Sequence, residues 1–160
     1  MKRMLLVAAL AVLFTIPSAL SGTSGDGTLS VKRGRGHVTL KFRGTVIGRI
    51  ASGSVQIKDF RPFDDNDPQF LGCKTRTDLN LTTTVCKGKK ITFRALDGRY
   101  NVNLRGNGVF LSVVGKGTVM IDGNGDLGVP DGVMSLNAGP YQSLPDTATS
   151  FTLAAPPPGG

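Results

Sequence analysis

The chain has 160 residues with 19 Lys+Arg, 11 acidic residues, one His, two Cys and no Trp. Every acid is Asp, so chemistry on a Glu pair is excluded, and a single His rules out a multi-histidine metal centre. With 22 Gly the chain is poorly suited to long helices, while 39% hydrophobic residues make it too apolar for a disordered polymer.

Residues 1–21 read as a secretory signal peptide. Lys2 and Arg3 precede an apolar run, Leu5–Ile16, which Pro17 ends, and Ala19-Leu20-Ser21 offers a cleavage site before Gly22. The run is too short and interrupted for a membrane span. No second apolar run follows, so the mature chain is expected to be extracytoplasmic, secreted or in the cell envelope, without a transmembrane segment.

Residues 22–27 form a Gly/Ser lead-in, and a single β domain is predicted over 28–153. Leu29 and Val31 alternate with polar neighbours. His37 to Arg43 places Val38, Leu40 and Phe42 on one face and His37, Thr39, Lys41 and Arg43 on the other, the pattern of a half-buried strand. Strands over 45–51 and 54–60 follow, with a turn at Ser52-Gly53. Residues 61–90 read as a long loop with one strand near Leu79–Val85. Strands resume at Ile91–Arg94 and Tyr100–Arg105, with turns at Asp97-Gly98 and Asn107-Gly108, the latter a hairpin signal. Val109–Val114, Thr118–Asp122 and Ser150–Leu153 complete the set, and residues 154–160 form a Pro/Gly tail.

Phe42-Arg43-Gly44 matches Leu104-Arg105-Gly106 at an offset of 62, and Gly53–Ile57 matches Gly117–Ile121 at an offset of 64. The expected fold is therefore all-β and antiparallel. It has six to eight strands in a sandwich or small open barrel, with two pseudo-repeated three-stranded meanders as one reading and two unrelated Gly-punctuated meanders as the other.

Cys73 and Cys86 in an exported chain are expected to form a disulfide. Asp122, Asn124 and Asp126 have the one-three-five spacing of a calcium loop. They lack its later Gly and bidentate Glu, so a plain Asx turn is the favoured reading and no metal is expected. Asp64-Asp65-Asn66-Asp67 is a solvated acidic loop unless another oxygen ligand converges on it. His37 has no nucleophilic partner at a diagnostic spacing, and no catalytic residue or cofactor is assigned.

Charge is unevenly placed. Lys32–Lys116 holds 17 basic residues against six Asp, and no Lys or Arg follows. Lys41, Arg43, Lys58, Arg94 and Arg105 take the parity opposite to the apolar residues, which suits a surface facing polyanions. Few aromatic residues interleave with them, so nucleic acid is disfavoured relative to an anionic envelope polymer or a protein partner.

Arg33-Gly-Arg-Gly36, Arg43–Gly48 and Ser135–Tyr141 together resemble small secreted β-rich bacterial proteins to which no activity attaches. The resemblance implies an exported all-β domain and transfers no functional residue. The sequence thus leads to a non-catalytic exported domain, with a secreted hydrolase using Asp residues in a cleft as the alternative.

Overall fold

The computed structural model describes residues 25–155; the expected signal peptide and the end of the tail lie outside them. Six strands, β1 (Gly27–Asp59), β2 (Gln69–Asn80), β3 (Thr83–Gly123), β4 (Val133–Leu136), β5 (Gln142–Ser143) and β6 (Thr149–Leu153), form one antiparallel sheet. The order is β2-β3-β1-β4-β5, with β6 on β3, and the sheet is not closed into a barrel. Among the described residues no helix is long and apolar enough to cross a membrane.

The expected meanders are replaced by two very long strands that wind around each other. Gly27–Gly44 pairs with Gly98–Gly115, Gly36–Asp59 pairs with Tyr100–Gly123 in a second register, and Val46–Lys58 pairs with Thr83–Ala95. Most of β1 therefore has a segment of β3 on each side. The turn signals at Ser52-Gly53, Asp97-Gly98 and Asn107-Gly108 are bends within continuous strands, not hairpins. At these bends Gly36 faces Gly123, Gly44 faces Gly115, and Gly53 faces Gly106. Two backbones approach too closely there for any side chain. A Cβ on Gly44 would lie 2.1 Å from the Val114 carbonyl oxygen, and one on Gly115 would lie 2.1 Å from that of Arg43.

Bends at bulges also switch which parity faces inward. Val38, Leu40 and Phe42 are buried before the Ser52-Gly53 bend, and Val55 and Ile57 after it. Asp97 takes φ 43° as an extra residue, after which Tyr100, Val102 and Leu104 point into the core. Gly36, Gly44 and Gly53 recur as Gly98, Gly106 and Gly115 at a constant offset of 62. The pairing respects this offset. Gly44 faces both Gly98 and Gly115, while Gly106 faces both Gly36 and Gly53, so β1 and β3 are pseudo-symmetric partners.

The long loop expected over residues 61–90 is mostly strand. β2 pairs with β3 from Gln69↔Arg94 to Asn80↔Thr83, and only residues 60–68 lie outside strands before it. Strand patterning failed here because β2 is exposed on both faces, so no apolar alternation marks it. Cys73 and Cys86 form the expected disulfide, with Cα atoms 5.3 Å apart, tying β2 to the core strand. Residues expected in the lead-in and tail also take part in the fold. Gly27 is buried within β1, and the Ala155 amide donates to the Gly25 carbonyl.

Candidate functional site

Two features of opposite charge lie on either side of Phe60. The first is a basic groove of about 340 Å³ lined by Lys41, Phe42, Arg43, Phe60, Arg99, Asn101 and Lys116. The sheet register builds it. Arg43 lies directly opposite Arg99 on one side and Lys116 on the other, while Lys41 and Lys58 flank Asn101 one row along. Side chains opposite one another in an antiparallel ladder share a face, with Cβ atoms about 5 Å apart, so like charges there oppose folding. Among the described residues, none of those lining the groove is a carboxylate. Phe60 lies beneath Lys58 and Arg99, whose cationic ends are 5.0 and 4.4 Å from its ring centre.

Of the five cations expected to share a face, Lys41, Arg43 and Lys58 come together. Arg105 is exposed on the same stretch of sheet but further along, opposite His37 and Ser54. Arg94 does not join them, because it lies opposite Ile47 and Gln69, and its Nε donates to the Gln69 amide oxygen. Arg99 and Lys116 escaped the sequence reading because both sit beside glycines that read as turns. Aromatic rings also accompany the charges more than expected. Arg49 lies over Phe110, Arg76 over Phe70 and Lys32 over Tyr141, in addition to the Phe60 contacts. In the groove, however, Phe60 is already engaged by two cations, which limits its use as a stacking platform for bases.

The second feature is acidic. Asp59 ends β1 and is buried, and the chain turns back over it through residues 61–67. One carboxylate oxygen from each of Asp59, Asp64 and Asp67 lies within 4.8 Å of the others. Asp59 Oδ1 accepts from the Arg61 amide, Asp64 Oδ1 from the Asn66 amide, and Asp67 Oδ1 from the Phe63 amide. The loop is pinned by the Tyr100 hydroxyl, which donates to the Asn66 and Leu96 carbonyls. Burial, joined by the charges of Asp59, Asp64, Asp67 and Asp97, raises the pKa of that hydroxyl. Asp59 and Asp67 also line a cleft of about 560 Å³ with Arg76, Asp78 and Leu81.

Burial holds the Asp59 carboxyl above its ordinary value of 3.8, the Arg61 amide opposes this, and the charges of Asp64 and Asp67 add to it. The folded state therefore binds more protons than the unfolded chain just above pH 3.8. The stability carried by neutral Asp59 is present below that pH and is lost as pH rises through the folded pKa. Urea midpoints measured in EDTA from pH 4 to 7 should fall more steeply for the wild type than for Asp59→Asn. Parallel profiles would show that Asp59 does not titrate in this way.

The remaining candidates lie elsewhere in the sheet and its loops. Asp122, Asn124 and Asp126 do not join the converging acids. Asp126 forms an ion pair with Arg35 at 2.9 Å, and Asp131 Oδ2 accepts from the Gly125 amide, as a local turn would use it. His37 Nε2 is 2.6 Å from Asn103 Oδ1 on the polar face of β1. No protein-family model, curated protein or solved structure matches the chain.

Proposed function

We propose that this is an exported, non-catalytic β domain that binds an anionic polymer of the cell envelope through the groove of Lys41, Arg43, Lys58, Arg99 and Lys116. The observation that carries this reading is the pair Arg43–Arg99, two cations directly opposite one another across the ladder, with Lys41 and Lys58 flanking Asn101 one row along. Like charges so placed oppose folding and are relieved when polyanion charge settles over them. The disulfide supports export, because such bonds persist in oxidising compartments. A broad, shallow groove with Lys and Arg at its rim suits charge recognition without sugar or sequence specificity.

The test is elution from a dextran sulfate column in a salt gradient. The double reversal Arg43→Glu with Arg99→Glu should elute at roughly half the salt required by the wild type, because contacts of this kind are screened and depend on counterion release. Arg94→Glu, the same charge change outside the groove, should shift elution far less. Equal shifts from both would mean that net charge alone governs retention.

One observation favours the hydrolase reading, namely that buried Asp59 and exposed Asp67 both line a cleft of about 560 Å³. Against it, each carboxylate already accepts a backbone amide at Oδ1, and Asp59 is only 5% exposed, so little of it is presented to a substrate.

A further inference from the structure

The acidic loop between β1 and β2 has a property that its charge alone does not explain. Asp59 is 5% exposed, and its Oδ2 has no hydrogen-bond partner. A buried carboxylate oxygen left unsatisfied is costly, and native structures rarely keep one without a ligand or a proton. This carboxylate converges with those of Asp64 and Asp67, which belong to the exposed loop that turns back over it. The ion pairs Arg35–Asp126 and Arg76–Asp78 involve none of the three.

We propose that Asp59, Asp64 and Asp67 bind a calcium ion. Calcium takes carboxylate oxygens at about 2.3–2.6 Å, so oxygens on opposite sides of one ion are about 4.8 Å apart. All three oxygens lie within that mutual distance, so a single ion can reach each of them. Magnesium, with shorter bonds of about 2.1 Å and a strict octahedral demand, fits a loose carboxylate loop less well. Three carboxylates supply the charge that a hard dication requires. The Oδ1 atoms hold the loop closed through backbone amides, while Asp59 Oδ2 has no partner and is left to the ion. The ion also removes the cost of the buried charge on Asp59, so binding and folding reinforce each other. Affinity in the range of about 0.1–1 mM, usual for extracellular calcium modules, would suffice outside the cell.

This site is distinct from the basic groove and goes beyond the polyanion reading. It is tested on the mature, oxidised chain by thermal melting in 10 mM calcium chloride, against EDTA with sodium chloride at matched ionic strength. Saturation about tenfold above the dissociation constant should raise the melting temperature by about 5 °C at pH 7. The double variant Asp64→Asn with Asp67→Asn should lose the shift while still folding. Both residues are exposed, and the amide side chain keeps the Oδ1 acceptors. Asp122→Ala should keep the shift, and magnesium should give less than half of it. No shift in the wild type, a shift that survives in the double variant, or one abolished by Asp122→Ala would each overturn the proposal.

Discussion

Gly44→Ala should unfold the protein. The added methyl carbon would sit 2.1 Å from the Val114 carbonyl oxygen and 2.7 Å from the Cα of Gly115, both of them backbone atoms of the facing strand. Gly44 also takes φ 144°, a conformation that L side chains rarely adopt. Relief would require the two longest strands to separate at a bend where each continues into the core on both sides. The cost should be roughly 4 kcal/mol or more, a large share of an ordinary domain's stability. Gly128→Ala is the control. It too has positive φ, at 75°, but a Cβ there meets nothing within 4 Å, so it should cost only about 1 kcal/mol. Far-ultraviolet circular dichroism with urea titration separates the two. A cooperative Gly44→Ala transition near the wild-type midpoint would refute the close packing of the bends.

Opening the disulfide should release β2 and leave the rest folded. β2 is exposed along almost its whole length and pairs only with β3, so little apolar burial holds it in place. Cys86 is fully buried, and Cys73 sits on the edge strand, so the bond joins core to periphery. Its chain-entropy contribution for a separation of 13 residues is about 3 kcal/mol. In Cys73→Ser with Cys86→Ala, amide exchange across Gln69–Asn80 should become fast, while the central residues of β1 and β3 remain protected. Global loss of protection would mean that β2 is integral to the core. Unchanged protection of β2 would mean that its pairing suffices without the bond.

Much of the sheet was legible because alternation is a local property. Val38, Leu40 and Phe42, or Tyr100, Val102 and Leu104, announce a buried face within a few residues, and Lys41, Arg43 and Lys58 follow as the outward set. The bends were not legible. A glycine that permits a hairpin also permits a strand to fold sharply and continue. What decides between them at Gly44 is another glycine, Gly115, placed opposite by the pairing of distant segments. Arg99 and Lys116 were lost for the same reason, since each neighbours a glycine taken for a turn. β2 lacks a buried face and therefore has no pattern to read. The acidic cluster required Asp59 to meet Asp64 and Asp67, which depends on how the chain reverses after Phe60.

The interleaving of β1 and β3 also governs when this protein can become a fold at all. Gly36 finds its second partner only in Gly123, and the inner bends of β1 are flanked on both sides by residues synthesised later. No segment of β1 pairs with another segment of β1, so the N-terminal third of the chain cannot rehearse its final form by itself. Topologies dominated by distant pairings gain speed neither from local turns nor from early hairpins, and they collapse late. A nascent chain of this design lacks its native pairing until nearly all of it has been made.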